Sequence, residues 1–568
     1  MLKYPKIILK YKYYSSFERK IQMIKKLLLY SCLLFSLIVF SQNTVGVISN
    51  TAQVYNGYTL FTSHTKTFLI NNCGQVVKQW LSTFSPGNSV YLLENGNLLR
   101  TGRTDSDDIV FGGQGGVVEM YNWEGNLIWQ YYYDTPQHRQ HHDVFPMPNG
   151  NVLILAANVM SNAEAIQAGR NPSLLTQSVL YSEQIVEVQP LGTNQGIVVW
   201  KWDMKDHLIQ DFDATKNNFG IVSQNPNKLD VNFTNGSGGN SNWMHVNSVQ
   251  YNASLDQIIL SSRNLSEVWI IDHSTTTAQA LTGSGGVYGK GGDILWRWGN
   301  PQAYKMGTAA DRKLFGQHYP HWINEGLQDA GKLMIFNNGN GRQPEFSEVY
   351  ILVPPTNTPG TYFLESNGTF GPTAPEYIYA DTSETPSPFY SSIVSGAERL
   401  PNGNLLICEG IKGRLFEIDS QENKVWEYIN PVHNATGVIA SQGGNPPGAR
   451  QLFRAAKFSP DYPAFVGKDM TPGNPIELNS QINTPCSVLN TEKFATAELK
   501  VSPNPTSGML SVTTDAEIDK IEVYNVLGAK MKTVLNVKTV DLSDFQSGIY
   551  LLKLYADEAV FSKKVIKQ

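Results

Sequence analysis

VYLLENGNLLR at 90–100, VFPMPNGNVLIL at 144–155 and ERLPNGNLLICEG at 398–410 are one pattern written three times. Each has an apolar strand, an Asn-Gly turn and a second apolar strand. Asn-Gly tolerates the positive φ of a tight hairpin turn, so it marks where the chain folds back on itself. A second hairpin follows most of these: TFLINNCGQVVKQW (67–80), GVVEMYNWEGNLIWQY (116–131), IVEVQPLGTNQGIVVWKW (185–202), VWIIDHS leading to GDILWRW (268–298) and LFEIDSQENKVWEY (415–428). Trp80, Trp129, Trp200, Trp296 and Trp426 recur near the end of that unit, which predicts a shared packing site between sheets. Two hairpins make a four-stranded antiparallel sheet, and such sheets at a period of roughly 40–60 residues are propeller blades. Six are expected, at about 57–82, 90–133, 141–204, 245–298, 316–381 and 395–430, the fifth being the least regular. A β-sandwich or a pair of stacked barrels would not repeat a hairpin pair with a fixed tryptophan. The expected fold is all-β, a six-bladed β-propeller over 50–480 followed by a small β-sandwich.

Composition fits a turn-rich, exported chain. Of 568 residues, 16% are charged and 48 are glycine, and a net charge of −5 gives no case for nucleic acid. Lys25 and Lys26 precede the apolar run Leu27 to Phe40, and Ser41 and Gln42 return to polar sequence. That predicts a secretory signal over 1–41, with Met23 as an alternative start and an inner-membrane anchor as the competing reading. Cys32 lies in the apolar run without a lipobox. Of the remaining cysteines, Cys408 reads as a buried strand residue, and Cys73 with Cys486 is the pair that would tie the ends of the ring.

Residues 431–496 are rich in Pro, Gly and Asn and read as a strap ending in a linker at 481–496. Short alternating strands then follow in VSPNPTSGMLSV (501–512), IDKIEVYNVLGAKM (518–531), VKTVDLSDF (537–545), SGIYLLKLY (547–555) and AVFSKKVIKQ (559–568). SPNP at 502–505, VYNVLG at 523–528 and SGIYLLKL at 547–554 resemble the C-terminal sorting domain of the type IX secretion system. The resemblance implies a sorting domain over 497–568 that engages that machinery in a Bacteroidetes-type cell. The protein would then cross the periplasm and the outer membrane to be secreted or held at the surface.

Four segments place histidine or arginine where an inner strand meets a loop: QHHDVF (140–145), WMHVNSV (243–249), LSSRNLS (260–266) and GQHYPHW (316–322). Inner strands line the axis of a ring, so His142, His245, Arg263 and His318 are expected to converge there. Asn247 faces the same side as His245. Arg297 and His273 fall on the outer hairpin and read as structural. A lone strand histidine is commonly a hydrogen-bonded packing residue, but four such groups at equivalent positions call for an anionic ligand or a metal. Three histidines suit Zn²⁺, yet a fixed arginine beside it would repel the ion. An oxyanion fits better, because arginine offers a planar fork of donors and His and Asn add single ones. No metal and no cofactor are expected.

HHDV, HVNSV, SSRNLSEVWIID, GQHYPHW, MIFNNGNGR (334–342) and QLFRAAKFSPDYPAF (451–465) together resemble the arylsulfate sulfotransferase family. That resemblance implies a six-bladed propeller that moves a sulfuryl group from a phenolic sulfate ester to a phenol. The transfer would be ping-pong, through a sulfohistidine and without a nucleotide sulfate. Carried over, His318 is the nucleophile, with His321 as a weaker alternative. Arg263, His245 and His142 bind the sulfuryl oxygens, with Asn247 as a neutral donor. His245 protonates the departing phenolate. His141 is the alternative to His142, since strand alternation lets one of the two point inward, and Asn338, Asn340 and Arg342 shape the rim. A neutral nucleophile implies activity falling below about pH 6, near the ordinary histidine pKa of roughly 6.5. Familiar members carry an N-terminal β-domain used in dimerisation, whereas here the blade pattern starts soon after the signal. Loops at 205–242 and 299–315 are expected to cover the channel mouth. Two other classes compete: a non-catalytic secreted propeller binding an anionic glycan or phenolic ligand, and a metal-dependent propeller hydrolase.

Overall fold

The computed structural model describes residues 43–384, 388–480, 500–514, 517–525, 530–556 and 559–568. The expected signal, the linker and Cys486 lie outside them. The chain divides into two compact units, one ending at Gln481 and one beginning at Ile482.

Among the described residues the first unit has six antiparallel sheets of four or five strands, in which successive strands mostly pair in order, and two small two-stranded ones, of which Leu208–Ile209 with Leu229–Asp230 is parallel. The second sheet holds Ser85–Leu92, Leu98–Arg103, Gly116–Tyr121 and Leu127–Tyr132. The third holds His138–Pro146, Val152–Ser161, Val179–Leu191 and Gln195–Asp203. The fourth holds Val246–Asn252, Gln257–Ser262, Glu267–Asp272 and Trp296–Trp298. In the fifth, His318–Trp322, Leu333–Asn337 and Glu348–Leu352 are followed by a side hairpin, Thr356–Thr358 with Thr361–Tyr362, before the fourth strand Tyr377–Tyr379.

The remaining two sheets draw strands from both ends of the unit. The first sheet has Tyr58–Ser63, Lys66–Asn71 and Val76–Leu81, and its innermost strand is the late segment Ala456–Phe458. The sixth has Gly396–Arg399, Leu405–Glu409, Arg414–Ile418 and Lys424–Ile429, and the early strand Gly46–Asn50 pairs along its outer edge. Cys73 is disulfide-bonded, while Cys408 is a free, buried thiol.

The recurring tryptophans sit on the outermost of the four hairpin strands, and each indole N–H reaches the next sheet between that sheet's third and fourth strands. Trp80 donates to Asn122 O at 3.0 Å and Trp129 to Gln195 O at 2.8 Å. Trp200 donates to Thr275 Oγ1 at 3.1 Å and Trp296 to Gly371 O at 2.8 Å. In the fifth sheet Tyr377 takes this place and donates to Glu422 Oε1 at 3.0 Å. Trp426 of the sixth sheet donates to Asn72 O of the first at 2.8 Å, so the series returns to its start. Each ring therefore buries apolar area and satisfies its one donor in the same contact.

The innermost strands are interrupted at equivalent places. Register breaks between residues 140 and 144, between 246 and 249 and between 318 and 321, so extra residues oppose a single partner. Such bulges re-aim side chains. The insertion at 205–242 meets the outer strand of the fourth sheet where Arg297 donates to Lys228 O at 2.8 Å, and its Leu229 and Val231 join the core cluster of Val246 and Val249. Arg297 itself is paired with Glu267 and fully buried.

Among the described residues the second unit has two sheets, Lys500–Ser502, Met509–Thr513 and Thr539–Asp541 in one and Ile518–Asn525, Lys530–Leu535, Gly548–Ala556 and Ala559–Lys567 in the other. Leu510, Val512, Ile521, Val523, Leu552 and Leu554 form their common core. Alternate residues of Met509–Thr513 are buried and exposed, as a half-buried strand requires.

Candidate functional site

Four of the expected residues gather where the inner strands bulge. His142 and His245 both have left-handed backbone, φ 50° and 49°. Their rings meet edge to face with centroids 4.7 Å apart. Backbone of that hand is uncommon in residues other than glycine and is held only where surrounding bonds fix it. The N–H of His142 donates to Gly113 O at 2.7 Å, and the carbonyl of His245 accepts from Arg263 N at 3.1 Å. A Cβ on Gly113 would lie 2.0 Å from the His142 ring, so only glycine lets loop 104–115 close over it. Phe111 of that loop stands against both His141 and His245, with centroids at 4.9 and 6.2 Å.

Strand alternation predicted one inward member of the His141–His142 pair. The bulge and the left-handed turn at His142 remove that alternation. The two Nδ1 atoms lie 2.9 Å apart, and His141 Nε2 lies 2.8 Å from Glu183 Oε2. All three side chains are buried. The other carboxylate oxygen of Glu183 accepts from Val246 N at 3.0 Å. Nδ1 of His245 accepts from Asn242 Nδ2 at 2.6 Å, which places the proton of that neutral ring on Nε2.

His318 is 2% exposed. Its Nδ1 lies 2.7 Å from Asn338 Oδ1 and 3.1 Å from Gly316 O. Asn338 Nδ2 donates to the carbonyls of Ser391 and Val394, which fixes the orientation of the amide. Both neighbours of Nδ1 are then acceptors, so Nδ1 carries the hydrogen and Nε2 keeps a lone pair. Val394 N donates to that lone pair at 3.2 Å, from a β-branched residue at φ 52°. Asn338 thus holds the ring in place instead of forming the rim. Asn247 donates from Nδ2 to Gln317 O at 2.8 Å, and its Oδ1 is buried without a hydrogen-bond partner.

Arg263 makes no salt bridge among the described residues; its Nη1 bonds Asn264 Oδ1 at 3.2 Å. Burial is the main cause that lowers its pKa. Burial, then the Arg263 charge, pushes His318 down to about 3. His245 is held well below the ordinary histidine value by burial, Arg263, His141 and His318. Burial, followed by His245, His141, His318 and Arg263, does the same to His142. The centre is therefore one fixed cation among neutral imidazoles.

Immediately beneath lies a second tier, built from the residues that follow the first. Asp143, fully buried, accepts from Arg454 Nη1 at 2.9 Å and Nη2 at 2.6 Å. It also accepts from Val249 N at 3.2 Å and Ser248 Oγ at 3.3 Å. The Arg454 guanidinium lies over the rings of Tyr91 and Tyr319, at 4.9 and 4.6 Å. Asp143 follows His142, Ser248 follows Asn247, Tyr319 follows His318 and Arg454 follows Phe453. The other expected residues have different surroundings. His321 stacks on Tyr319 at 4.4 Å, and burial pushes it to about 4. Arg342 pairs with Glu348 and lies over Phe346. Asn340 donates to Ser392 O at 3.2 Å. Glu183, Asn242 and Gly113 carry no motif of their own, and only the folded chain brings them to this place, whereas Arg454 lies in the segment QLFRAAKFSPDYPAF already singled out.

Residues 101–440 match the family model described as Arylsulfotransferase (ASST). Residues 500–568 match that of the secretion system C-terminal sorting domain. No curated protein matches the chain. Among solved structures it is similar to a protein of unknown function from Bacteroides caccae, at 13% identity and TM-score 0.37, covering 71% of this chain and 99% of that one. It is also similar to the periplasmic gluconolactonase PpgL of Pseudomonas aeruginosa, at 10% identity and TM-score 0.35, with 71% and 99% covered. A third is virginiamycin B lyase from Staphylococcus aureus, at 9% identity and TM-score 0.30, with 68% and 88% covered.

Proposed function

Because the chain belongs to the arylsulfotransferase family, and its C-terminal sorting domain takes it across the outer membrane, we propose that it transfers sulfuryl groups between phenols outside the cell through a sulfohistidine at His318. Residues 1–41 are the secretory signal in this reading, and the six sheets are the blades of one closed propeller. The return of the Trp426 contact to the first sheet supports that closure.

The observation that carries the proposal is the state of His318. A neutral imidazole with its hydrogen on Nδ1 and its lone pair on Nε2 is a nucleophile. Nε2 gives up the Val394 N–H that it accepts at 3.2 Å and attacks sulfur, the S–O bond to the aryl group breaks, and the electron pair leaves with the phenolate. The sulfated ring gains positive charge, and Asn338 Oδ1 and Gly316 O accept from its Nδ1–H. Arg263 and His245 bind the sulfuryl oxygens as charge shifts onto them, and Asn247 adds the second hydrogen of its Nδ2, the first being held by Gln317 O. His142 lies against His245 and faces the same group. A second phenol then attacks sulfur, and Nε2 leaves. Donor and acceptor are small phenolic compounds, and the chemistry of the site needs no nucleotide and no metal.

The test uses the purified protein with p-nitrophenyl sulfate, with and without phenol, beside His318→Ala. Nitrophenol release that rises with phenol and is lost in the variant supports the proposal. Release from wild type and variant alike moves the nucleophile elsewhere, to His321 first. No release from a folded protein counts against the proposal and favours an anion binder or a narrower substrate.

A further inference from the structure

Sulfuryl transfer needs a proton delivered to the departing phenolate and removed from the incoming phenol. We propose that Glu183, His141 and His142 form a proton relay that makes His142 the acid and base of both half-reactions. The inference rests on the sulfuryl-transfer reading above.

The relay follows from which atoms can donate. Glu183 Oε1 is anchored by the Val246 amide, so Oε2 stays 2.8 Å from His141 Nε2. An ionised carboxylate only accepts, so that Nε2 carries hydrogen. Between the two Nδ1 atoms, 2.9 Å apart, lies one proton with two possible owners. When His142 holds it, His141 is neutral and the Nε2 of His142 has a lone pair, ready to act as a base. When His141 holds it, that ring is an imidazolium against Glu183, and the Nε2 of His142 carries hydrogen as an acid. Nε2 of His142 makes no hydrogen bond among the described residues.

This arrangement solves an electrostatic problem. His142 is surrounded by His245, His318, Arg263 and Phe453, and a full charge on it would stand beside the arginine. The relay lets His142 pass a proton while the charge rests on His141, where a carboxylate compensates it. His142 never becomes an imidazolium.

In the first half-reaction Nε2 of His318 bonds to sulfur and the aryl oxygen leaves. That oxygen takes the Nε2 proton of His142, and the Nδ1 proton of His141 moves to His142. The relay has lost one proton, carried off in the phenol. In the second half-reaction the acceptor hydroxyl gives its proton to Nε2 of His142, and the Nδ1 proton returns to His141. The acceptor oxygen bonds to sulfur, and His318 is restored. His245, whose Nδ1 accepts from Asn242, stays a donor to the sulfuryl oxygens throughout.

A poor leaving group needs the acid and a good one does not, so single-turnover release from two donors separates the relay from a packing role. With Glu183→Gln, phenol release from phenyl sulfate should fall about 100-fold, within the range of general acid catalysis, and nitrophenol release from p-nitrophenyl sulfate less than about 5-fold. His141→Gln, which cannot hold the charge, should give the same split and serves if the first variant does not fold. Equal losses on both donors, or no loss on either, overturn the relay. If wild-type protein is inert with both donors, the sulfuryl-transfer reading has failed on its own. The low-field proton spectrum of the histidine-labelled protein then decides. A proton resonance shared by the two rings and lost in His141→Gln upholds the relay, and its absence overturns it.

Discussion

Asn338 Oδ1 lies 2.7 Å from His318 Nδ1, while the same amide's nitrogen is held by the carbonyls of Ser391 and Val394 at 2.7 and 2.9 Å. The amide cannot turn over without setting its NH₂ against the ring and its oxygen against two carbonyls. One bond thus sets the tautomer of His318, and the two others make that setting rigid.

Replacing the amide by a hydrocarbon of similar size tests this. Asn338→Leu should leave the ring held only by the longer bonds to Gly316 O at 3.1 Å and from Val394 N at 3.2 Å, and so less firmly placed. Misplacing a reacting group by about 1 Å costs up to about 100-fold in rate, so kcat should fall by about 10- to 100-fold with a smaller change in KM. Steady-state kinetics with p-nitrophenyl sulfate and phenol check it, and an unchanged kcat would remove Asn338 from the site.

The pH profile separates the folded site from an ordinary histidine. Ordinary imidazole chemistry places the acid limb near pH 6, but burial and Arg263 hold His318 down to about 3. Because the folded-state value is depressed, the ring stays neutral, and kcat/KM should hold down to about pH 4 while the protein remains folded. Removing the cation takes away one of the two lowering causes. Arg263→Met should therefore move the acid limb to higher pH, besides lowering the rate. A normalised profile followed alongside circular dichroism measures the shift. A limb that stays at the same pH in both proteins would contradict this electrostatic account.

The sequence was most legible where one physical rule acts locally. Asn-Gly turns mark hairpins, and Trp80, Trp129, Trp200, Trp296 and Trp426 recur because each caps the following sheet. Tyr377 performs the same task in the fifth sheet and could not be counted with them, since it shares only the hydrogen bond and not the residue type. The innermost strand of the first sheet was illegible for another reason. Ala456–Phe458 is three residues long and arrives from nearly 400 positions later in the chain. His142, His245, Arg263 and His318 could be named because charged groups stand out in apolar strands. Their surroundings could not, because bulges and left-handed residues break the alternation from which side-chain direction is read. His141 and Asn338 took on their roles through Glu183, Ser391 and Val394, all distant in sequence.

His273 supplies a pH effect of opposite sign, away from the site. Burial opposes its charge, but hydrogen bonds with Asp256 at 2.6 Å and Glu187 at 3.0 Å prevail and raise it to about 9. A raised value means stability that is fully present below the unfolded pKa of roughly 6.5 and lost as pH climbs through about 9. The loss should be on the order of 3–4 kcal/mol, since one pKa unit is worth about 1.4 kcal/mol. Melting temperature should therefore drop between about pH 6.5 and 9.5 in wild type, and His273→Gln should be less stable at pH 6 and show a smaller drop. Parallel slopes for the two proteins would show that His273 carries no such charge.

Asp143 and Arg454 join elements 311 residues apart in the chain at the floor of the site. Arg454 arrives just before the strand that completes the first sheet, and Asp143 follows a site histidine in the third. Both are buried, so deleting one partner leaves the other as an uncompensated charge, at a cost of about 3–5 kcal/mol. Arg454→Met should accordingly lower stability by that order in urea unfolding. Asp143→Asn combined with Arg454→Met removes both charges and should recover most of the loss, because a neutral pair of similar volume has no ion to desolvate. Activity should not recover with it. The carboxylate also accepts from Ser248 and the Val249 amide, and through them it sets the spacing of His142 from the His245–Asn247 segment. A double variant that regains stability but stays at least about 10-fold slow identifies the pair as a spacer for the histidines, whereas full recovery of both would reduce it to a buried ion pair with no bearing on the chemistry.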